Sequence, residues 1–210
     1  MTKPLLLLDV DGVLLRDKQL ADHMTRNVHA YVAKKLPTAK DPARIGRMLY
    51  TKYGHTGRGL MHAFQIDTSD FDRSVFTSDL TDHLWSVLSG PEFQADAAEI
   101  HELADRWDIR LFSNAPLVWT FPVASAIGDA IKVPRTNFYV KPDPRAYMKF
   151  PQGRPKVFVD DTLQNLRTAQ HFDTWTPVLF CDKKSQEFPT VSSIWELCLF
   201  ANSYMLEESF

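Results

Sequence analysis

Short apolar runs recur along the chain, and each stops at a polar or charged residue. Leu5–Leu8 ends at Asp9, Ile109–Phe112 at Ser113, Asn137–Val140 at Lys141, Val157–Val159 at Asp160 and Asp161, and Val178–Cys181 at Asp182. Runs this short, apolar on both faces, predict strands of a parallel sheet covered by helices on either side. Helical spacing fills the intervals. Ala97, Ile100, Leu103, Ala104 and Trp107 form a stripe at i, i+3 and i+4 that leads into the second strand. Residues 118–131 and 163–172 fit crossover helices, and residues 193–200 a closing one. The alternation predicts a doubly wound α/β layer of Rossmann-like form with right-handed crossovers.

One interval is too long for a single crossover. Residues 16–94 carry helical patterns at Ala21–Leu36, Pro42–Tyr53 and Phe71–Leu88. Pro37, a loop over Gly54–Gly59 and the turn-formers of Asp67–Asp70 separate them. This stretch reads as a helical cap domain over residues 16–94, inserted in a core of residues 1–15 and 95–210. It is expected above the carboxyl ends of the strands, where open α/β sheets bind ligands, and expected to move as a lid.

Composition narrows the function. Lys and Arg number 24 against 26 Asp and Glu, a net charge of −2, so no basic excess argues for nucleic acid. The apolar set makes up 44 % of the chain, too much for a disordered one. Two cysteines, Cys181 and Cys198, cannot make a disulfide framework and read as free thiols of a reducing compartment. Leu5–Leu8 is far too short to span a membrane or to form a secretion signal. A cytoplasmic protein with no membrane partner is expected; the oligomeric state is not legible.

The strand ends carry the chemistry. Asp9 and Asp11 are two apart, so an extended chain points both side chains to one side, and Gly12 then lets the backbone turn. Two close carboxylates resist joint ionisation unless a cation is present, and such oxygen ligands suit Mg²⁺. Alone, Asp-x-Asp-Gly equally describes a solvated strand-to-turn boundary. Parallel strands, however, bring Asp9, Ser113, Asn114, Lys141, Asp160 and Asp161 to one sheet edge. A carboxylate nucleophile, a metal-binding pair, hydroxyl and amide donors and a lysine together predict phosphoryl transfer. Trp107, Phe112, Trp119 and Phe121 read as core. His23 and His29 read as residues of solvated helix faces, and His55 as part of the glycine-bounded loop.

These motifs resemble those of the haloacid dehalogenase superfamily: Leu5–Val13, Leu111–Asn114, Lys141-Pro142, and Val157–Asp161 followed by Asn165. The position of the insertion resembles that of members with a type-1 helical cap. An aspartate at position 11 resembles the phosphatases of the superfamily rather than its dehalogenases. Tyr50, Tyr53 and Gly54, Arg58–His62 and Phe112–Ala115 are similar to the yeast-type pyrimidine 5′-nucleotidases. The resemblance implies a Mg²⁺-dependent phosphatase of small phosphomonoesters, with a nucleoside 5′-monophosphate among its candidate substrates. Asp9 would be the nucleophile and Asp11 the acid and base. Asp9, the carbonyl of Asp11, Asp161 and, directly or through water, Asp160 would hold the metal. Ser113, Asn114 and Lys141 would contact the phosphate, Asn165 would orient the motif, and Arg58 or His62 would meet the leaving group. A sugar-phosphate phosphatase, a phosphomutase and a silent binding protein of the same fold are the alternatives.

Overall fold

A computed structural model describes residues 2–134 and 139–207 of the chain, with side chains given through residue 204. After β1 (Leu5–Leu8) come five helices: α1 (Lys18–Lys35), α2 (Pro42–Tyr53), α3 (Thr56–Phe64), α4 (Phe71–Val75) and α5 (Ser78–Leu88). Then follow α6 (Pro91–Leu103), β2 (Asp108–Leu111), α7 (Leu117–Ile127), α8 (Pro144–Tyr147) and β3 (Lys156–Asp160). The chain closes with α9 (Leu163–Ala169), β4 (Trp175–Phe180), β5 (Thr190–Val191) and α10 (Ile194–Glu207). The five strands form one all-parallel sheet in the order β2-β1-β3-β4-β5. Among the described residues no helix is long and apolar enough to cross a membrane.

The strand pleat sorts the sheet's side chains onto two cores. Leu6, Leu8, Ile109, Leu111, Val157, Val159 and Val178 join one core with α6, α7 and α10. Leu5, Leu7, Phe158 and Leu179 join the other, with Tyr147, Phe150, Leu166 and Trp175. All four leucines of β1 are fully buried, which is why this strand is apolar on both faces. Burying each contributes about 1.5–3 kcal/mol. The expected core aromatics Trp107, Phe112 and Trp119 are buried, but Phe121 is 63 % exposed on α7.

The expected third strand is only partly covered by the described residues. Asn137 and Phe138 lie outside the described residues, whereas Tyr139 and Val140 join no strand. Both edges of β1 are occupied by β2 and β3, and among the described residues the outer edge of β2 meets a single bridge, Arg110 to Lys132. The short strand β5, which the apolar runs did not reveal, completes the far edge.

Between β1 and α6 the expected helix Phe71–Leu88 is broken at Phe76 and Thr77, with neither proline nor glycine at the break. Asn27 of α1 donates its amide to the Val75 carbonyl (2.9 Å) and to Thr77 Oγ1 (3.2 Å), so tertiary contacts end α4. Gly54–Gly59 is not a loop throughout. Helix α3 starts at Thr56, capped by His55, whose Nδ1 accepts from Arg58 N at 3.2 Å. Its glycines allow close packing: a Cβ at Gly57 or Gly59 would meet Phe71 at 2.8 Å or Leu49 at 2.7 Å. Tyr31, Val32, Leu49, Leu60, Phe71 and Val75 form a third core within these helices. Leu80, Leu84 and Leu88 of α5 belong instead to the sheet-side core.

Candidate active site

Strand register assembles the site. Leu8 lies opposite Leu111 on β2 and Val159 on β3, so the next residues of all three strands meet at the carboxyl edge. Asp9 N donates to the Val159 carbonyl (2.9 Å), and Phe112 N to the Leu8 carbonyl (2.7 Å). Asp9, Phe112 and Asp160 therefore sit side by side, and Ser113 follows one residue beyond Phe112 at the same edge. Lys141 reaches them from the other direction, on the loop before α8. Its Nζ lies 3.0 Å from Asp9 Oδ2 and 2.6 Å from Asp160 Oδ2, with only 1 % of the side chain exposed.

Asp160 anchors rather than opens the site. Asn165 donates to both of its oxygens at 3.0 Å, Thr162 N donates to Oδ1 at 2.9 Å, and Lys141 completes the shell. Asp161 differs. It is exposed, and it accepts from Thr162 Oγ1 at 3.1 Å. Its Oδ2 lies 2.1 Å from where a Cβ on Gly12 would stand. Gly12, at φ +85°, is thus required twice, by its left-handed backbone and by the carboxylate against it.

Among the described residues the charges do not balance. Oxygens of Asp9, Asp160 and Asp161 lie within 4.8 Å of one another, and Asp11 stands near, against one ammonium. Burial pushes Asp9 well above the usual carboxylate range; Lys141 opposes this, while Asp160, Asp161 and Asp11 add to it. Burial likewise raises Asp11, opposed by its bond from Trp119. Asp161, exposed as a residue but with its carboxyl set among the protein groups of the site, is pushed up to about 6 by desolvation first and Asp160 second. Burial alone would lower Lys141, but Asp160 and Asp9 overcome it and hold the ammonium charged. A divalent cation fits this donor set: it would bring the local charge toward neutrality and let Asp9 stay ionised. Asp9 and Asp161 are its natural side-chain donors, because the Asp160 oxygens already accept four hydrogen bonds.

Above the carboxylates lies a cavity of about 380 Å³. Its floor includes Asp9, Asp11, Ser113, Asn114 and Lys141. The helices between β1 and α6 supply the walls: apolar Met24, Val28, Phe71, Val75 and Phe76, with Thr25, His29, Arg47, Tyr50 and Thr51. Ser113 Oγ accepts from Ala115 N at 3.0 Å, which aims the hydroxyl while its proton stays available to give.

Several expectations change here. The carboxamide of Asn114, expected to bind phosphate, is spent on backbone. Its Nδ2 donates to the carbonyls of Gly54 (2.9 Å) and Lys141 (2.8 Å), and its Oδ1 accepts from Lys141 N (2.8 Å). Asn114 thereby clamps the end of α2 onto the Lys141 loop. Gly54, at φ +68°, makes the contact possible, since a Cβ there would stand 1.9 Å from the Lys141 carbonyl oxygen. Arg58 and His62, expected at the leaving group, line a separate cleft with Lys52, Tyr53, Asp143 and Arg145. They belong to α3, whose first residue Thr56 lines the main cavity while Arg58 and His62 line the other cleft. His29 and His55, by contrast, line the main cavity; burial lowers His55 to about 4, so it is neutral. Sequence reasoning missed Trp119 as well. Its indole Nε1 donates to Asp11 Oδ1 at 3.0 Å, a contact across 108 positions that no local pattern signals.

No family model and no curated sequence matches the chain, so its similarities are those of fold. The structure superposes on β-phosphoglucomutase from Clostridium difficile with a TM-score of 0.59 at 14 % identity, covering 98 % of this chain and 100 % of that one. It superposes on CbbY from Rhodobacter sphaeroides, in complex with phosphate, with a TM-score of 0.57 at 16 % identity (93 % and 96 % covered). L-2-haloacid dehalogenase from Xanthobacter autotrophicus gives 0.55 at 11 % identity (96 % and 99 %). The fold is therefore the α/β Rossmann-like fold that these three proteins have, shared over nearly the whole length.

Proposed function

We propose that the protein is a phosphatase of small phosphomonoesters acting through an aspartyl phosphate. The observation that carries this reading is the buried Lys141 ammonium shared by Asp9 and Asp160 beneath the cavity. An ammonium there attracts a phosphate to Asp9 and favours its ionised, nucleophilic form. Asp9 Oδ attacks phosphorus; the P–O bond to the leaving group breaks, and Asp11 gives that oxygen a proton. Asp11, now ionised, takes a proton from the water that attacks the intermediate; the bond between Asp9 Oδ and phosphorus breaks, Asp9 is regenerated and inorganic phosphate leaves. Ser113 donates to a phosphoryl oxygen. Mg²⁺, held by Asp9, Asp161 and the Asp11 carbonyl, would neutralise phosphate charge.

Asp11 favours phosphate esters over carbon–halogen bonds, because an alkoxide needs a proton on leaving and a halide does not. A nucleoside 5′-monophosphate is the first substrate to try, since Phe71, Phe76 and Tyr50 offer a planar base apolar and aromatic surface. A panel of nucleotides, sugar phosphates and 2-haloacids tests this with Mg²⁺ present. Phosphate release that Asp9→Asn abolishes is expected. Halide release without phosphate release, or full turnover in Asp9→Asn, would overturn it.

A further inference from the structure

Asp11 stands on a turn, after β1 and before the left-handed Gly12, where backbone alone does little to fix a carboxyl group. A rigid side chain from elsewhere supplies the constraint. Trp119, in the first turn of α7, is 1 % exposed and donates its indole Nε1–H to Asp11 Oδ1 at 3.0 Å. Its ring packs against Phe76, centroids 5.3 Å apart, and Phe76 is itself a wall of the cavity.

We propose that Trp119 is the positioning residue of Asp11, fixing which carboxyl oxygen carries the proton. An indole N–H only donates, and a carbonyl oxygen accepts better than a hydroxyl, so the bond favours Oδ1 as the carbonyl and places the transferable proton on Oδ2. As the leaving oxygen departs, the O–H bond at Oδ2 breaks toward it; when water attacks, its proton returns to the same atom. The indole loses nothing in either step. Phe76 ties this arrangement to the helices that enclose the substrate, so the acid and base is set by the same surface that meets the leaving group. The proposal rests on the phosphatase reading, and its test separates the two.

The test compares wild type and Trp119→Phe in kcat/KM on an alkyl phosphate and on p-nitrophenyl phosphate, with Mg²⁺. The alkoxide leaving group needs a proton and the nitrophenolate scarcely does. A well-placed general acid contributes roughly 10²–10⁴-fold, so misplacing it is expected to cost the alkyl ester about tenfold or more. The aryl ester is expected to change less than about twofold. Equal losses on both esters, or no loss on either, would overturn the positioning role and leave the phosphatase reading standing. Absence of phosphate release by the wild type would overturn both. A second measurement does not depend on the folding of Trp119→Phe. In a nitrogen–proton spectrum of the five tryptophan indoles, the signal in contact with the Phe76 ring is expected to shift in Asp11→Ala. An unmoved signal would contradict the bond.

Discussion

Lys141→Met isolates the electrostatic core of the site. Methionine fills a similar volume between the Phe112 and Phe158 rings, which lie 5.1 and 5.4 Å from Nζ, but it leaves Asp9 and Asp160 without their shared counter-charge. Removing one partner of a buried ion pair costs about 3–5 kcal/mol. For a chain of this size that is a fall in Tm of roughly 10 °C. The loss has a direction in pH. A carboxyl whose pKa is raised by folding, as burial raises Asp9, binds its proton more tightly folded than unfolded. Stability from such a group falls as pH climbs through the raised value, and removing the ammonium raises it further. Lys141 itself, raised by Asp160 and Asp9, is charged in both states well below the ordinary lysine range. The deficit of Lys141→Met is therefore expected to be larger at pH 8 than at pH 5. Urea unfolding of both proteins at the two pH values, without divalent cations, measures it. A deficit under about 1 kcal/mol, or one equal at both pH values, would refute a buried lysine holding two carboxylates.

Two further outcomes follow from the same geometry. Mg²⁺ at a hundredfold its Kd is expected to add about 2.7 kcal/mol of stability. Because Asp161 is pushed up to about 6, this gain should shrink between pH 7.5 and 5.5 as the carboxylate takes a proton, and vanish in Asp161→Asn. Differential scanning fluorimetry with Mg²⁺ and with chelator reads both. Gly54→Ala is expected to lose roughly 1–2 kcal/mol from its left-handed backbone and also to worsen turnover, by driving a Cβ into the Lys141 carbonyl. Gly153→Ala, at φ +72° with nothing within 4 Å, is the control that should lose stability alone. Equal turnover in the two variants would mean that the Gly54 joint does not matter to the site.

Much of this architecture was legible because parallel strands convert sequence position into spatial position. Once Leu5–Leu8, the run ending in Ser113 and the run ending in Asp160 are strands of one sheet, their end residues must converge, as the register shows. The approach of Lys141 was not derivable in this way, since no strand carries it among the described residues; the Asn114 clamp does. Asn114 misled for a related reason: a carboxamide beside a phosphate site can hold ligand or backbone, and only the fold of Gly54 against Lys141 decides. Arg58 and His62 read as one face of a helix start, and both line one cleft; which cleft that face meets is set by the tertiary packing of α3, which no local pattern gives. Trp119 read as core, and it is buried, but an apolar pattern does not disclose where one N–H points.

Met24 and Phe76 pack against both the sheet-side core and the separate core of the helices that follow β1, and both line the cavity. The cavity thus lies on the seam between two separate apolar cores. An occupant would act as mortar there, adding contacts to each side at once and tying their unfolding together. Substrate-sized ligands should consequently sharpen the melting transition as well as raise its midpoint, making the cooperativity of unfolding a report on occupancy.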